Sequence, residues 1–407
     1  MTDDPFTLRP GTDSDLEAIT ETFTSSFLMD DSPDFAAGMR HIYEPERWLI
    51  AEDGDRVIGT AAVFTRDMSV PGAVVPTAHV SGVSVRPTDR RRGVLSAMMR
   101  RQLAEVTEPI AALWASQTAL YRRYGYRDAT DQVTYSGDLR LLGVPEPTAP
   151  GRVREITAEE AVTALAPVYA EAVGRRPGLS TRPGGWWVKR LHDPESDRHG
   201  ATARRVVVHE TPDGVIDGYV LWRAVMNWDQ TGPVYKLSVE ELIAPETDVY
   251  LALWAFLASL DFAASFTWTR GASHDERLRH LVGAPRQLQP RYSEGLWIRL
   301  VDVPGALTAR SYTTDLDVVL DVTDPIIGAN GGRWHLLVKG DSVTCERTER
   351  EPDVSLGVDV LGAVYLGGRS LRLYADLGEV DEHSPGAVAA AGTAFSWPVA
   401  PSGIEVF

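Results

Sequence analysis

Apolar and polar positions along the first 140 residues repeat with two different periods. Leu16, Ile19 and Phe23 recur at i, i+3 and i+7, which predicts a helix. Ser14 with Glu17 three residues on gives that helix a capping-box pattern. Phe6–Arg9 ahead of it reads as a strand. Trp48–Glu52 and Arg56–Phe64 are strand-like runs on either side of Asp53-Gly54, a good hairpin turn. Ala78–Val85 predicts another strand. Gly93–Leu103 predicts a helix whose Leu95, Met98, Met99, Gln102 and Leu103 make one largely apolar face. A strand at Ile110–Ala115, a short helix at Thr118–Tyr124 and a strand at Asp131–Gly137 complete the order β-α-β-β-β-α-β-α-β, an α/β domain.

The proline-rich stretch Pro145–Gly151 has no periodicity and reads as a linker. A second α/β pattern follows: a helix at Ala158–Val173, strands at Ala203–His209, Gly218–Val225 and Lys236–Ile243, and an apolar helix at Val249–Leu260. Its element order echoes the first and predicts a duplicated fold. In the third segment Leu316, Val318, Leu320 and Val322 alternate cleanly. Trp334–Lys339 and Ser342–Thr348 flank Gly340-Asp341, a hairpin signal. Helices fit Val358–Leu366 and Pro385–Ala391, the latter with Ser384 as N-cap and Pro385 at its first position. The expected architecture is α/β and α+β, with domains at 1–144, 152–300 and 303–407.

Composition sharpens this picture. A chain of 407 residues is expected to hold two to four domains. No run reaches the ~20 apolar residues of a membrane span, and Met1-Thr2-Asp3-Asp4-Pro5 has neither the basic start nor the apolar stretch of a signal peptide. With Cys345 as the single cysteine no internal disulfide is possible, so the cytoplasm is the expected location. The formal charge of −17 argues against a nucleic-acid partner. It would draw in cationic small molecules, or simply serve solubility.

The chemistry concentrates in Val80-Ser81-Gly82-Val83-Ser84-Val85-Arg86-Pro87-Thr88-Asp89-Arg90-Arg91-Arg92-Gly93-Val94-Leu95-Ser96. A strand leads into a basic loop that opens directly into a helix. The unpaired N–H groups of a helix start and its dipole make an anion site, the glycine lets backbone approach closely, and the arginines add charge suited to a pyrophosphate. The corresponding loop of the second segment, Ile243-Ala244-Pro245-Glu246-Thr247-Asp248, is acidic and glycine-free, so a fold duplicate without cofactor is expected there. The histidines lack metal-ligand spacing, so no metal site is expected. Gly328-Ala329-Asn330-Gly331-Gly332 lacks the Lys-Ser/Thr of a phosphate loop and reads as a hairpin tip.

Arg90-Arg91-Arg92-Gly93-Val94-Leu95 resembles the Arg/Gln-x-x-Gly-x-Gly/Ala signature of GNAT acetyltransferases, with Leu95 at the place of the small residue. The longer run, together with Leu113-Trp114-Ala115-Ser116 and Tyr121-Arg122-Arg123-Tyr124-Gly125-Tyr126, is similar to the Eis (enhanced intracellular survival) family. That resemblance covers the whole chain. It implies tandem GNAT-like domains, the second degenerate, followed by a sterol-carrier-like α+β domain, in a homo-hexamer. It also implies that acetyl-coenzyme A is bound by the backbone of Val83, Ser84 and Val85, by Arg91, Arg92, Gly93, Val94, Leu95 and Ser96 at the pyrophosphate, and by Tyr121 and Arg122 on the far side.

The implied activity is direct acetyl transfer, through a tetrahedral intermediate, to primary amines of aminoglycosides, polyamines or lysine side chains. Tyr126 would be the acid: a phenol near pKa ~10 donating to a thiolate near ~8.5 is uphill by only ~2 kcal/mol. By the same resemblance the carboxylate of the last residue, Phe407, would be the base, with His79 or a water as competitors. Phe27, Asp30, Asp31, Asp34 and Phe35, joined by Glu405, combine carboxylates and aromatics suited to a polycationic acceptor. The tryptophans Trp186, Trp187, Trp222, Trp254 and Trp268 read as core. The alternative from another class is a catalytically silent protein that binds coenzyme A or a lipid on the same fold.

Overall fold

The structure, a computed structural model, describes residues 6–30, 33–230 and 232–407. Met1–Pro5 and Asp31 therefore lie outside the described residues. The first stretch of chain forms β1 Thr7–Pro10, α1 Leu16–Phe27, α2 Pro33–Arg40, β2 Trp48–Asp53, β3 Arg56–Val70, β4 Ala73–Val85, α3 Val94–Glu105, β5 Ile110–Trp114, α4 Thr118–Tyr121, β6 Arg127–Asp128 and β7 Asp131–Asp138. Next come β8 Arg152–Ile156, α5 Ala158–Ala164, α6 Ala166–Arg175, α7 Gly185–Leu191, β9 Arg205–Glu210 and β10 Ile216–Val225. A two-residue ribbon, β11 Trp228–Asp229 with β12 Gly232–Pro233, precedes β13 Tyr235–Ile243, α8 Thr247–Ala258, β14 Ala263–Ala272, α9 Leu278–Leu281, β15 Arg291–Glu294 and β16 Leu296–Leu300. The last stretch holds α10 Val303–Thr308, β17 Leu316–Thr323, β18 Gly332–Lys339, β19 Ser342–Arg347, β20 Val354–Gly357, α11 Val358–Tyr365, α12 Leu371–Asp376, β21 Val380–Glu382 and α13 Ala387–Phe395.

These elements build two compact units: one from residues up to Ala129 with Leu296–Pro398 and Phe407, the other from Thr130–Gly295 with Val399–Val406. The first unit contains a seven-stranded sheet, β1-β2-β3-β4-β5-β16-β6, and a five-stranded one, β19-β18-β17-β20-β21. The second contains the sheet β15-β7-β14-β13-β10-β9-β8. Each seven-stranded sheet thus takes one strand from the stretch of chain that builds the other. The strand expected at Asp131–Gly137 forms as β7, but it pairs with β14 and β15 in the second sheet. β16 lies between β5 and β6 in the first.

In the first unit Val80, Met99, Leu103, Leu113 and Trp297 pack into one buried cluster with Tyr121, Tyr124 and Tyr126. A larger cluster joins β16 to α11 and to β17 and β18 through Ile298, Leu300, Leu320, Leu336, Leu361 and Val364. Burial of such side chains stabilises by about 1.5–3 kcal/mol each. Beneath that cluster Arg299 and Asp324 form a fully buried ion pair, with Nη2 to both carboxylate oxygens at 2.9 and 2.8 Å. In the second unit Trp254 and Trp268 are fully buried, and Trp186, Trp187 and Trp222 nearly so.

Four local expectations change. The capping box is formed by Thr12 and Asp15, because Arg9 fixes the Asp15 carboxylate through two 2.7 Å hydrogen bonds; the Ser14 hydroxyl instead lies 3.0 Å from that of Thr12. The helix expected over Ala158–Val173 is two, α5 and α6, since Pro167 has no N–H for the next intrahelical bond. The last helix starts at Ala387 rather than Pro385, because the Ser384 hydroxyl donates to Asp353 at 2.5 Å instead of capping. Strand β3 runs on to Val70, and α2 was not foreseen. No helix among the described residues is long and apolar enough to cross a membrane.

Candidate active site

Strand β4 pairs in parallel with β5 over Thr77–His79 only. Past His79 the two strands separate, and their divergence opens the mouth of a cleft. The chain leaves β4 at Arg86, makes a tight turn over Pro87–Asp89 and enters α3 through Gly93. Gly93 has φ of 87°, a left-handed conformation that glycine adopts without penalty. Arg91 holds the same region at φ 65°, which costs a non-glycine residue about 1–2 kcal/mol.

What over-determines this loop is the buried carboxylate of Asp89. It accepts hydrogen bonds from Arg56 at 2.9 Å, Arg92 at 2.6 Å and Thr88 at 2.8 Å. Burial alone would push this carboxyl up; the three donors outweigh it and hold it below the usual range. Arg92 also reaches Asp53 at 2.8 Å. The helix that follows has no side-chain cap and no acidic residue in its first turn, so its positive end is uncompensated by carboxylates.

The cleft encloses about 800 Å³. On one side it is bounded by Val83, Ser84 and Val85 of β4 and by Gly93, Val94, Leu95 and Ser96 at the helix start. Arg90, Arg91 and Arg123 supply its charge, and Tyr121 with Ser116 and Gln117 closes the far wall. Ser26, Phe27 and Leu28 from the end of α1 form the rim, where Arg90 donates to the Ser26 carbonyl at 3.1 Å. Such a volume, with backbone edges along it and cations at its mouth, fits an extended anionic cofactor.

Two arginines expected at the cofactor are turned elsewhere. Arg92 is held by Asp89 and Asp53, as described, and Arg122 pairs with Glu379 at 2.8 Å and Asp359 at 3.3 Å. Their places in the cleft wall are taken by Arg90 and Arg123. Tyr126 is wholly buried and does not reach the wall; it packs edge-on to Tyr121 with ring centroids 6.3 Å apart. Its hydroxyl has no hydrogen-bond partner among the described residues, and burial pushes the phenol well above its ordinary value. Tyr121 bonds to the Ser116 side chain, and burial raises its phenol to about 12.

The terminal residue sits on β4. Ser81 Oγ donates to an oxygen of Phe407 at 2.5 Å, and the Phe407 ring meets the His79 ring edge-on at 4.6 Å. His79 and Ser81, two residues apart, share one face of the strand. His79 is fully buried, with Nδ1 2.9 Å from the Thr77 carbonyl; burial, reinforced by the charge of Arg66, drives its pKa well below the ordinary value and keeps it neutral. Ser81 was not foreseen.

Of the residues expected around an acceptor, Phe27 lines the rim, its ring tilted against that of Phe23 at 4.5 Å, and Phe35 stacks on Phe23 at 5.2 Å. Asp30 is exposed just beyond α1, and Asp34 lies in the first turn of α2. Glu405 belongs to the second unit, where it accepts from Arg182 Nε at 3.2 Å.

Comparison with known proteins places this geometry. The acetyltransferase (GNAT) domain family matches residues 7–129, a second GNAT domain family matches 178–300, and a sterol carrier protein domain matches 303–402. An uncharacterised N-acetyltransferase from Streptomyces avermitilis is 41% identical over 364 residues, 88% of each chain. The N-acetyltransferase Eis of Mycobacterium tuberculosis is 31% identical over 381 residues, 89% of each chain. The chain belongs to the Eis-like GNAT N-acetyltransferases. The crystal structure of Eis1 from Mycobacterium abscessus superposes on this Eis-like chain with a TM-score of 0.84 at 32% identity, covering 99% of this chain and all of that one. A GCN5-related N-acetyltransferase from Anabaena variabilis, 18% identical, shares the fold with a TM-score of 0.86 over 99% of this chain and all of its own. The enzyme is therefore an acyltransferase with two GNAT domains and a sterol-carrier-like domain.

Proposed function

We propose that this Eis-like enzyme moves the acetyl group of acetyl-coenzyme A to a primary amine, with the Phe407 carboxylate as base and Tyr126 as acid. The observation that carries the reading is the 2.5 Å hydrogen bond from Ser81 to Phe407. It supports the reading because it holds Phe407 against the strand whose Val83–Val85 line the cleft. In this reading the coenzyme lies along the β4 edge, with its phosphates at Arg90, Arg91 and the N–H groups of Gly93–Ser96, and Arg123 on the other side; it supplies an activated thioester. Phe407 takes a proton from the amine as the new C–N bond forms. A terminal carboxylate near pKa ~3.5 is too weak a base for a free ammonium, but it is adequate for the more acidic ammonium produced by attack.

Tyr126 then returns a proton to the sulfur. Its buried, unbonded hydroxyl supports this role, because an orphaned donor costs about 1–3 kcal/mol and asks for a partner. Burial raises the phenol and also raises any thiolate placed beside it, so the transfer is not made prohibitive. A second reading gives the acid role to Tyr121, because its ring, unlike that of Tyr126, lines the cleft. The acceptor class we infer is cationic, from Phe27, Asp30, Asp34 and Phe35 near the rim and from the net charge of −17. The working form is a homo-oligomer of cytoplasmic location.

The test is thiol release from acetyl-coenzyme A with an aminoglycoside, spermine, a lysine peptide and a neutral amine. Turnover with the cations alone is the expected result. Coenzyme binding with no turnover for any amine refutes it in favour of a silent binding protein.

A further inference from the structure

A cavity of about 410 Å³ lies wholly within the second unit. One wall is the face of α7 that carries Trp186, Lys189 and Arg190 at i, i+3 and i+4. Leaving His192 aside, five cations line the space, Lys189, Arg190, Arg204, Arg223 and Arg270, against three carboxylates, Asp197, Glu240 and Glu405. The ion-paired groups just behind this wall cancel, Arg182 and Arg198 against Glu241 and Asp193. A cationic cavity therefore stands in a chain whose formal charge is −17.

The carboxylates are already taken up by the other arginines. Glu241 accepts two 2.7 Å bonds from Arg182, one from Arg190 Nε at 3.0 Å and one from the Tyr219 hydroxyl at 2.5 Å. Glu240 is the extra residue of a bulge between β10 and β13, and it holds Arg223 together with Arg204 Nε at 2.7 Å. Arg223 also reaches Asp193 at 2.6 Å, and Glu405 accepts from Arg182 at 3.2 Å. No carboxylate among the described residues bonds the side chain of Lys189 or of Arg270.

Arg270 is placed at some cost. The pairing of β14 with β7 passes from Thr269 to Ala272, so Arg270 and Gly271 form a bulge, a device that re-aims a side chain. Arg270 has φ of 66°, which costs about 1–2 kcal/mol for a residue with a Cβ. Burial, and then the charge of Arg190, hold its guanidinium below the ordinary value. Burial also lowers the Lys189 amine, outweighing Glu405 and Asp197. Like charges gathered around one space repel unless an anion lies between them.

We propose that this cavity binds a small phosphomonoester, its phosphate held by Arg270, Lys189 and Arg190 and its organic body lying beside Trp186. Guanidinium groups match phosphate oxygens, and the excess of two positive charges suits a dianion. The hydroxyls of Ser238 and Thr269, in the same lining, add neutral donors. The volume exceeds that of a bare phosphate and falls in the range of small-molecule sites. The inference uses no residue of the first unit and stands apart from the reading of the acetyl-transfer site.

The test is calorimetry on the full-length protein at low salt. Coenzyme A is titrated first, to fill the first unit's cleft, and phenyl phosphate is then added at saturating coenzyme. Phenyl phosphate should bind at one site per chain, more weakly as salt rises. Arg270→Gly, which removes the charge and relieves the strained φ, should keep the melting temperature and weaken binding roughly tenfold to a hundredfold. Lys189→Met should act in the same direction and serves if Arg270→Gly does not fold. Arg205→Ala, which breaks an exposed pair with Glu155, should change nothing. A second coenzyme A per chain, lost in Arg270→Gly, would also support the site and make the coenzyme's own phosphomonoester the ligand. No saturable binding, equal affinity in Arg270→Gly and Lys189→Met, or equal binding of phenol or benzylamine would each overturn the proposal.

Discussion

Replacing Asp324 by Ala should be among the most damaging single changes in the first unit. The carboxylate is fully buried and accepts two bonds from Arg299 at 2.9 and 2.8 Å, one from Asn330 at 2.9 Å and two from the backbone of Ile326 and Ile327 at 2.9 and 3.0 Å. Removing it strands the Arg299 guanidinium in the core, and breaking a buried pair in this way costs about 3–5 kcal/mol. With an unfolding slope of roughly 3 kcal/mol per molar urea, the midpoint should fall by about 1–1.7 M, read from tryptophan fluorescence. Replacing both partners, Arg299→Met with Asp324→Leu, should recover more than half of that loss, because the charge is then not left unpaired.

The pH dependence has a definite sign. Burial pushes the Asp324 carboxyl up, but Arg299 and the hydrogen bonds from Asn330, Ile327 and Ile326 outweigh it, so the folded pKa lies below the unfolded ~3.9. The stabilisation is complete above about pH 4 and is lost as pH falls through the folded value. Activity should follow stability, since Arg299 Nε also donates to the Tyr124 carbonyl at 3.1 Å and so holds the turn that carries Tyr126. A midpoint shift below about 0.3 M for Asp324→Ala would refute the account of the pair.

Tyr126→Phe should cut kcat by roughly a hundredfold with KM for acetyl-coenzyme A nearly unchanged; if Tyr121→Phe does this and Tyr126→Phe does not, the acid is Tyr121. Arg91→Ala should raise KM for acetyl-coenzyme A by about tenfold, a charge-assisted contact being worth ~1.5 kcal/mol, and leave turnover at saturation intact. Arg122→Ala, whose side chain is tied to Glu379 and Asp359, should leave that KM within twofold. His79 is held neutral by burial, so the pH profile of kcat should show no limb belonging to it between pH 5 and 8; a limb abolished by His79→Gln would make His79 the base. Appending two residues after Phe407 should abolish acetyl transfer in the thiol-release assay, and full activity would remove the terminal carboxylate from the mechanism.

Much of this was legible in the residues. The strand-like apolar runs of β2 through β5 and the helical period of α3 each follow from local patterning. The strand-to-helix loop with Gly93 announced an anion site because its elements are contiguous. What local pattern cannot carry is partnership. Nothing in Asp131–Asp138 says that its neighbours are β14 and β15, since a strand's period records which face is buried and not which sheet receives it. Likewise three adjacent arginines look alike in sequence. Burial of Asp89 selects Arg92 as the residue that fastens the loop, and leaves Arg90 and Arg91 to the cleft. Ser81 was invisible for a related reason: its partner is 326 positions away. The far half of β3 was hidden by Arg66 and Asp67, which break the apolar run even though Arg66 is nearly buried.

The reciprocal placement of β7 and β16 also bears on synthesis at the ribosome. The first GNAT sheet lacks a strand between β5 and β6 until residue 300 has been made, so a nascent chain of 130 residues presents the open edge of β5. At about 5–20 residues per second that edge stays uncovered for roughly ten to thirty seconds, while the intervening stretch is translated. Cutting the gene at the linker after residue 144 would make the delay permanent, leaving each fragment with its neighbour's strand and without its own. The two halves are therefore inherited and expressed as one object.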